Sequence, residues 1–233
     1  MCLLAFHSTF ILLAQSTAAM HQSWNEVLQK HVDKQGIVDY NGIKNNTSFH
    51  RYTGMLKKVK GADGYAEKDA MAYWINVYNT FVIKLIIDNN ETASIKNIPN
   101  AFEEKFISLP SGRYSLNDIE NNILRNTYKD ARIHFVLVCG AVSCPPLHDE
   151  AITDQNLDKK LDQLTKAFIT NPKFNQITEN HLKISELFKW YETDFGAAGG
   201  VRAFVKKHSG INVSKTATIE YLPYNWDLNS KKL

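Results

Sequence analysis

The sequence predicts an α+β fold in which helices pack around a small, mostly antiparallel sheet. Three observations lead there: a long apolar stretch of helical period at 66–88, several short β-branched or aromatic runs set off by turn residues, and the lack of a Gly-rich strand-to-helix phosphate loop. The 233 residues suffice for one domain with a substantial core, and 44% hydrophobic with 22% charged residues is ordinary for a globular chain. Lys and Arg total 27 against 24 Asp and Glu and are scattered, so no basic stripe follows a nucleic-acid backbone.

The first residues read as a secretory leader. Leu3-Leu4-Ala5-Phe6 and Phe10-Ile11-Leu12-Leu13-Ala14 form an apolar region too short for a membrane span of roughly 20 residues. Ser16-Thr17-Ala18-Ala19 offers small residues for cleavage after Ala18 or Ala19, although no Lys or Arg precedes the apolar region. The expected organisation is a leader at 1–19 and one domain at 20–233, secreted or periplasmic, with no integral membrane segment once the leader is removed.

Within the domain, Trp24, Val27, Leu28 and His31 recur at helical spacing over 23–32, and Asp33-Lys34-Gln35-Gly36 turns the chain into an extended piece at 37–40. Over 66–88, Ala70, Trp74, Val77, Tyr78, Phe81, Leu85 and Ile86 share one helix face, which marks the central buried helix. Ser115-Leu116-Asn117-Asp118 is a capping box, in which hydroxyl and carboxylate each meet an exposed amide, and it starts a helix to about 126. Residues 133–138 have the character of a buried strand, stopped by Cys139-Gly140 and the Pro145-Pro146 break. A helix over 153–169 and a hairpin of 174–177 with 181–184 follow. Next come a helix capped by Ser185 that ends at Gly196, a helix at 201–207, and a strand at 218–222 that Pro223 assigns to an edge.

The segment 132–147 carries the candidate chemistry. A thiol at a strand end, Cys139, beside Gly140, whose amide can come close to a ligand, fits a nucleophile with an oxyanion donor. It fits equally a small buried core side chain. A catalytic thiol needs a base to ionise near neutral pH. His134 is close in sequence, but an offset of five along a strand sets it on the opposite face, about 16 Å away. The named candidate is therefore His148, folded back by the proline pair, with His31, His50, His181 and His208 as tertiary alternatives; His148 also fits an exposed loop histidine. With the leader gone, Cys139 and Cys144 are the remaining cysteines. In an oxidising compartment they also fit a disulfide or a redox pair across a four-residue spacer. Their spacing with His148 matches no zinc motif, so neither a metal nor a cofactor is expected.

Two further groups invite explanation. Asn76 and Asn79 lie three apart on one side of the central helix, where they fit either anchors for neighbouring loops or binders of a substrate amide. Glu120 sits beside the Leu116-Ile119-Ile123 face of its helix and fits a salt bridge to Arg125 or Arg132, or an orienting carboxylate.

Several ordered motifs resemble the family called domain of unknown function 547. They are Gly36-Ile37-Val38-Asp39-Tyr40, Tyr73-Trp74-Ile75-Asn76-Val77-Tyr78-Asn79, Ser94-Ile95-Lys96-Asn97-Ile98, Ser115-Leu116-Asn117-Asp118-Ile119-Glu120 with Ile123-Leu124-Arg125, and Arg132-Ile133-His134-Phe135 through Pro146-Leu147. Leu187-Phe188-Lys189-Trp190-Tyr191 with Asp194-Phe195, and Tyr224-Asn225-Trp226-Asp227-Leu228-Asn229, complete a resemblance over about 24–229. The resemblance implies no settled activity. It implies a protein of the kind often exported by bacteria, with Cys usual at the position of Cys139 and Ser frequent at that of Cys144, which tilts Cys139 away from a purely disulfide role. Asn121 stands where many relatives have His, and Asn225 where Asp is common. The first departure weakens a mechanism that takes its base from position 121.

The expectation from these residues is a papain- or transglutaminase-like thiol hydrolase or acyltransferase acting on an amide or peptide. Cys139 attacks, Gly140 helps to hold the oxyanion, Asn76 and Asn79 bind substrate, and His148 and Glu120 assist. The competing expectation is a non-catalytic binding or scaffold domain with Cys139 buried or bridged to Cys144. Either way the partner is a small molecule or peptide and not nucleic acid.

Overall fold

The computed structural model describes residues 17–59, 61–91 and 93–231. The expected leader lies outside the described residues up to position 16, and positions 17–19 belong to a short helix, α1 (Thr17–Met20). The fold is α+β. Next come α2 (Gln22–His31), α3 (Tyr40–Lys44) and α4 (Thr47–Leu56). Asp39 and Asn46 cap the last two by accepting from the Gly42 and Phe49 amides, as short polar side chains do at helix starts.

The centre is α5 (Glu67–Asp88), around which every residue from Met71 to Ile83 is buried. The single apolar face expected from the sequence is thus an understatement, since a helix apolar on all sides belongs inside a core. By length and composition α5 is long and apolar enough to cross a bilayer, but 83% of its most apolar window is enclosed by protein. A hairpin of β1 (Ile107–Leu109) and β2 (Gly112–Tyr114) leads to the capping box, which forms as expected: the Asp118 amide donates to Ser115 Oγ and the Ser115 amide to Asp118 Oδ2, both at 2.9 Å. The helix it opens, Asp118–Tyr128, is wound as a π-helix, a rare form that tends to occur at functional sites.

Residues 133–138 are not a strand. Ala131–Phe135 is a 3-10 helix, and the chain beyond it is held by a side chain instead of a neighbouring strand: Asn79 Nδ2 donates to Val136 O and the Val138 amide donates to Asn79 Oδ1, both at 2.9 Å. The β-branched character serves burial, while α5 satisfies the backbone. Asn76 does the same for Ile152, binding both its carbonyl and its amide.

After α6 (Leu157–Thr170) the chain forms β3 (Gln176–Ile177), β4 (His181–Ser185), α7 (Leu187–Trp190), a 3-10 stretch (Glu192–Ala198), α8 (Val201–Ser209) and β5 (Thr218–Leu222). β4 pairs antiparallel with β3 and parallel with β5, in register from His181↔Thr218 to Ser185↔Leu222. In place of the one sheet expected at the centre, the described residues form two separate small sheets, one of them mixed. Among the described residues, the buried apolar ones fall into two clusters. The larger surrounds α5; the smaller gathers Phe135, Phe168, Phe174, Phe188, Phe195 and Phe204.

Candidate functional site

Cys139 ends the segment clamped by Asn79 and opens a turn in which the Cys144 amide donates to Ala141 O. The C-terminal arm straps this turn. Val142 and Ser143 amides donate to Asp227 O and Asn225 O, and the Asn229 amide donates to Gly140 O. Gly140, at φ +85, holds a backbone conformation that is strained for any side chain, and a Cβ there would also press on Ile86 Cδ1 at 2.8 Å. The strap sets Tyr224 Oη 3.3 Å from Cys139 Sγ. Both cysteines are free thiols, with their sulfurs 3.0 Å apart and the Cys139 amide donating to Cys144 Sγ at 2.9 Å.

The two thiols differ. A hydrogen bond from Cys144, and further ones from Tyr224 and the Ala141 amide, lower the Cys139 pKa from its ordinary value against the opposing effects of burial and the Glu120 charge. Burial first, and then Cys139 itself, push Cys144 well up. Cys139 is therefore the more readily ionised of the two; while both are protonated, Cys139 Sγ donates to Cys144 Sγ. Both line a cavity of about 400 Å³, where Cys139 is half-buried and Cys144 buried.

His134 lines the same cavity. The expectation that it lies on a far face fails because residues 131–135 are helical and the alternation of a strand does not apply. Its Nε2 is 2.7 Å from Asp194 Oδ2, and its ring stacks on Tyr191 with centroids 3.8 Å apart. Arg125, one turn along the π-helix from Asn121, holds Asp194 through Nε at 2.7 Å and Nη2 at 2.9 Å. The hydrogen bond from His134, and then those from Arg125, keep the Asp194 carboxyl well below the usual carboxylate range despite partial burial. Glu120, also on the cavity, accepts from Tyr78 Oη and Tyr191 Oη. The salt bridge expected for it does not form: Arg125 goes to Asp194, and Arg132 to Asp130, Asp158 and Asp162. Asn121 lines the cavity and accepts from Arg125 Nη1. The outer wall is aromatic, with Trp190, Tyr224 and Trp226 packed at centroid distances of 4.7 to 5.9 Å and Trp190 44% exposed.

Of the candidates drawn from the sequence, Cys139, Cys144 and Glu120 meet on this cavity. His148 does not line it; it lies against a second cavity, beside Asp149, Glu150 and Lys160. Burial, and then the Lys160 charge, depress its pKa. Asn76, Asn79 and Gly140 do not line the Cys139 cavity: the two asparagines clamp backbone, and Gly140 faces Ile86 and Tyr40. Sequence reasoning assigned no role to His134, Asp194, Tyr191 or Tyr224. Each sits in a quoted motif, but the motifs lie far apart in the chain and nothing in their spacing says that they converge.

Fold and cavity together define a helix-rich α+β protein with a paired-thiol cleft. Residues 62–169 match the model of the family described as protein of unknown function, DUF547, and over this stretch the chain is similar to that family. The stretch holds α5, the π-helix, His134 and both cysteines, and stops short of Tyr191, Asp194 and Tyr224. Neither the search of curated proteins nor that of solved structures found a match.

Proposed function

We propose that the protein is an exported thiol-dependent hydrolase or acyltransferase acting on an amide or peptide, with Cys139 as nucleophile and His134 as its base. The observation that supports this reading is that a thiol with a lowered pKa and a carboxylate-held imidazole line one cavity. In the proposed reaction Cys139 Sγ attacks the carbonyl carbon. The Tyr224 hydroxyl, beside the sulfur, donates to the developing oxyanion in the part first given to Gly140. Asp194 holds Nε2, which leaves Nδ1 of His134 to carry the proton to the departing amine. Water or a second amine then takes the acyl group from sulfur and restores the thiol. The Trp190–Trp226 wall offers a stacking surface to a small-molecule or peptide substrate.

The close approach of the sulfurs favours a second reading, a binding domain in which a bridged Cys139 is silent. Alkylation between pH 5 and 9 with mass mapping separates the two. The enzyme reading expects rapid labelling of native Cys139 with an apparent pKa well below 8.5. It also expects turnover of p-nitrophenyl acetate that Cys139→Ala abolishes and His134→Ala slows by about 100-fold. Labelling seen only after denaturation, with no turnover, favours the binding domain.

A further inference from the structure

We infer that Cys139 and Cys144 are a reactive and a resolving thiol: a hydroperoxide oxidises Cys139 at the cavity, and Cys144 captures the product as a reversible intramolecular disulfide. This inference rests on the arrangement of the sulfurs alone and holds whether or not Cys139 handles acyl groups.

The geometry assigns the two roles. The sulfurs are 3.0 Å apart, so bonding distance near 2.05 Å requires a closure of about 1 Å, less than a side-chain rotation supplies. The Cys139 amide pins Cys144 Sγ at 2.9 Å, and the turn is fastened on its far side by the C-terminal arm, so the resolving sulfur is in place before any oxidant arrives. Access is unequal. Both cysteines line the cavity, but Cys139 is half-buried and Cys144 buried, so a solute reaches Cys139 more readily. The ionisation order agrees with this assignment, because the thiolate is the form that attacks peroxide.

The chemistry balances in two steps. The Cys139 thiolate attacks one peroxide oxygen and the O–O bond breaks. With one proton taken up this gives the sulfenic acid, and water or an alcohol leaves. Cys144 Sγ then attacks Cys139 Sγ and the S–O bond breaks. The Cys144 proton departs with hydroxide as water, leaving the disulfide. Peroxide is the two-electron oxidant overall, and a dithiol such as dithiothreitol reverses the bridge. In the bridged state position 139 has no nucleophile, and the route to irreversible sulfinic acid is closed.

The test uses the full chain, reduced and then exposed to hydrogen peroxide with dimedone, a trap for sulfenic acid, and read by intact mass and peptide mapping. The wild type is expected to lose two hydrogens at a Cys139–Cys144 bridge, to trap little dimedone and to recover fully in dithiothreitol. Cys144→Ser is expected to trap dimedone at Cys139 and, without the trap, to form sulfinic acid at least about tenfold faster than the wild type. Cys139→Ser is expected to leave Cys144 unreacted. Sulfinic acid forming equally fast in the wild type and Cys144→Ser overturns the inference, as does Cys144 reacting in Cys139→Ser as fast as Cys139 does in the wild type. Cys144→Ala, which keeps the buried site apolar, serves for the same comparison if the serine variant does not fold.

Discussion

His21 is fully enclosed, with Nδ1 2.6 Å from Tyr52 Oη and Nε2 without a partner, and burial lowers its pKa from 6.5 to about 4. The unfolded chain takes up this proton near pH 6.5 and the folded chain only near pH 4, so protons favour unfolding between those values. The stability His21 contributes is therefore complete above about pH 6.5 and falls by about 3 kcal/mol as the pH drops to 4. His148 and His208, whose pKa values burial also lowers, act with the same sign. Urea unfolding of wild type and His21→Phe at pH 8 and pH 5 should show a clearly smaller loss of stability in the variant; equal losses would assign the slope to other groups. The same physics bears on what single residues reveal in sequence. Cys139 and Glu120 stood out because thiols and carboxylates in apolar surroundings are conspicuous. His134 was discounted through a strand rule applied to a helical segment, and Asp194 gave no sign because its partner is 60 residues away.

Elements with local signals were legible: α2, α5, α6, α8, the β3–β4 hairpin and the edge strand β5 all follow from periodicity, caps and turn residues. The segment 133–138 was not, because its composition says only that it is buried. The amide of Asn79, one of two asparagines placed on the buried helix, decides how its backbone is satisfied. An Asn side chain carries the same donor and acceptor pair as a peptide group, so α5 behaves here like one residue of a neighbouring strand. Asn79→Ala removes both partners at once and leaves Val136 O and Val138 N buried and unpaired. The expected cost is about 2–5 kcal/mol, compared with under about 0.5 kcal/mol for Asn122→Ala on the exposed side of the π-helix. Chemical denaturation of the two variants checks this. Because Val138 adjoins Cys139, Asn79→Ala should also slow native labelling of that thiol, and near-equal stabilities would show that the segment holds itself by packing alone.

At the scale of the whole molecule, the two apolar clusters raise the question of whether they unfold separately. The chain does not divide between them. Phe135 and Phe168 belong to the smaller cluster yet lie inside the family-matched stretch 62–169, while Leu137 and Val138, two and three residues past Phe135, belong to the larger. Polar links cross at the cavity as well: Arg125 and His134 converge on Asp194, and Glu120 joins Tyr78 of α5 to Tyr191. Exposing the smaller cluster would leave Glu120 and His134 in low-dielectric surroundings with partners lost, a penalty on any half-unfolded state. Opening at the cavity and melting of the α5 core are thereby coupled, and the expectation is one cooperative transition. Trp24 and Trp74 report on the larger cluster and Trp190 and Trp226 on the cavity wall, so single-tryptophan variants can follow the two regions in urea. Coincident midpoints, with equal calorimetric and van't Hoff enthalpies for the wild type, are the result a single unit requires. A Trp190 signal that melts at lower urea than Trp24, with Asp194→Asn leaving the gap unchanged, would mean that the C-terminal elements form a unit of their own and that the cavity lies on a seam between two.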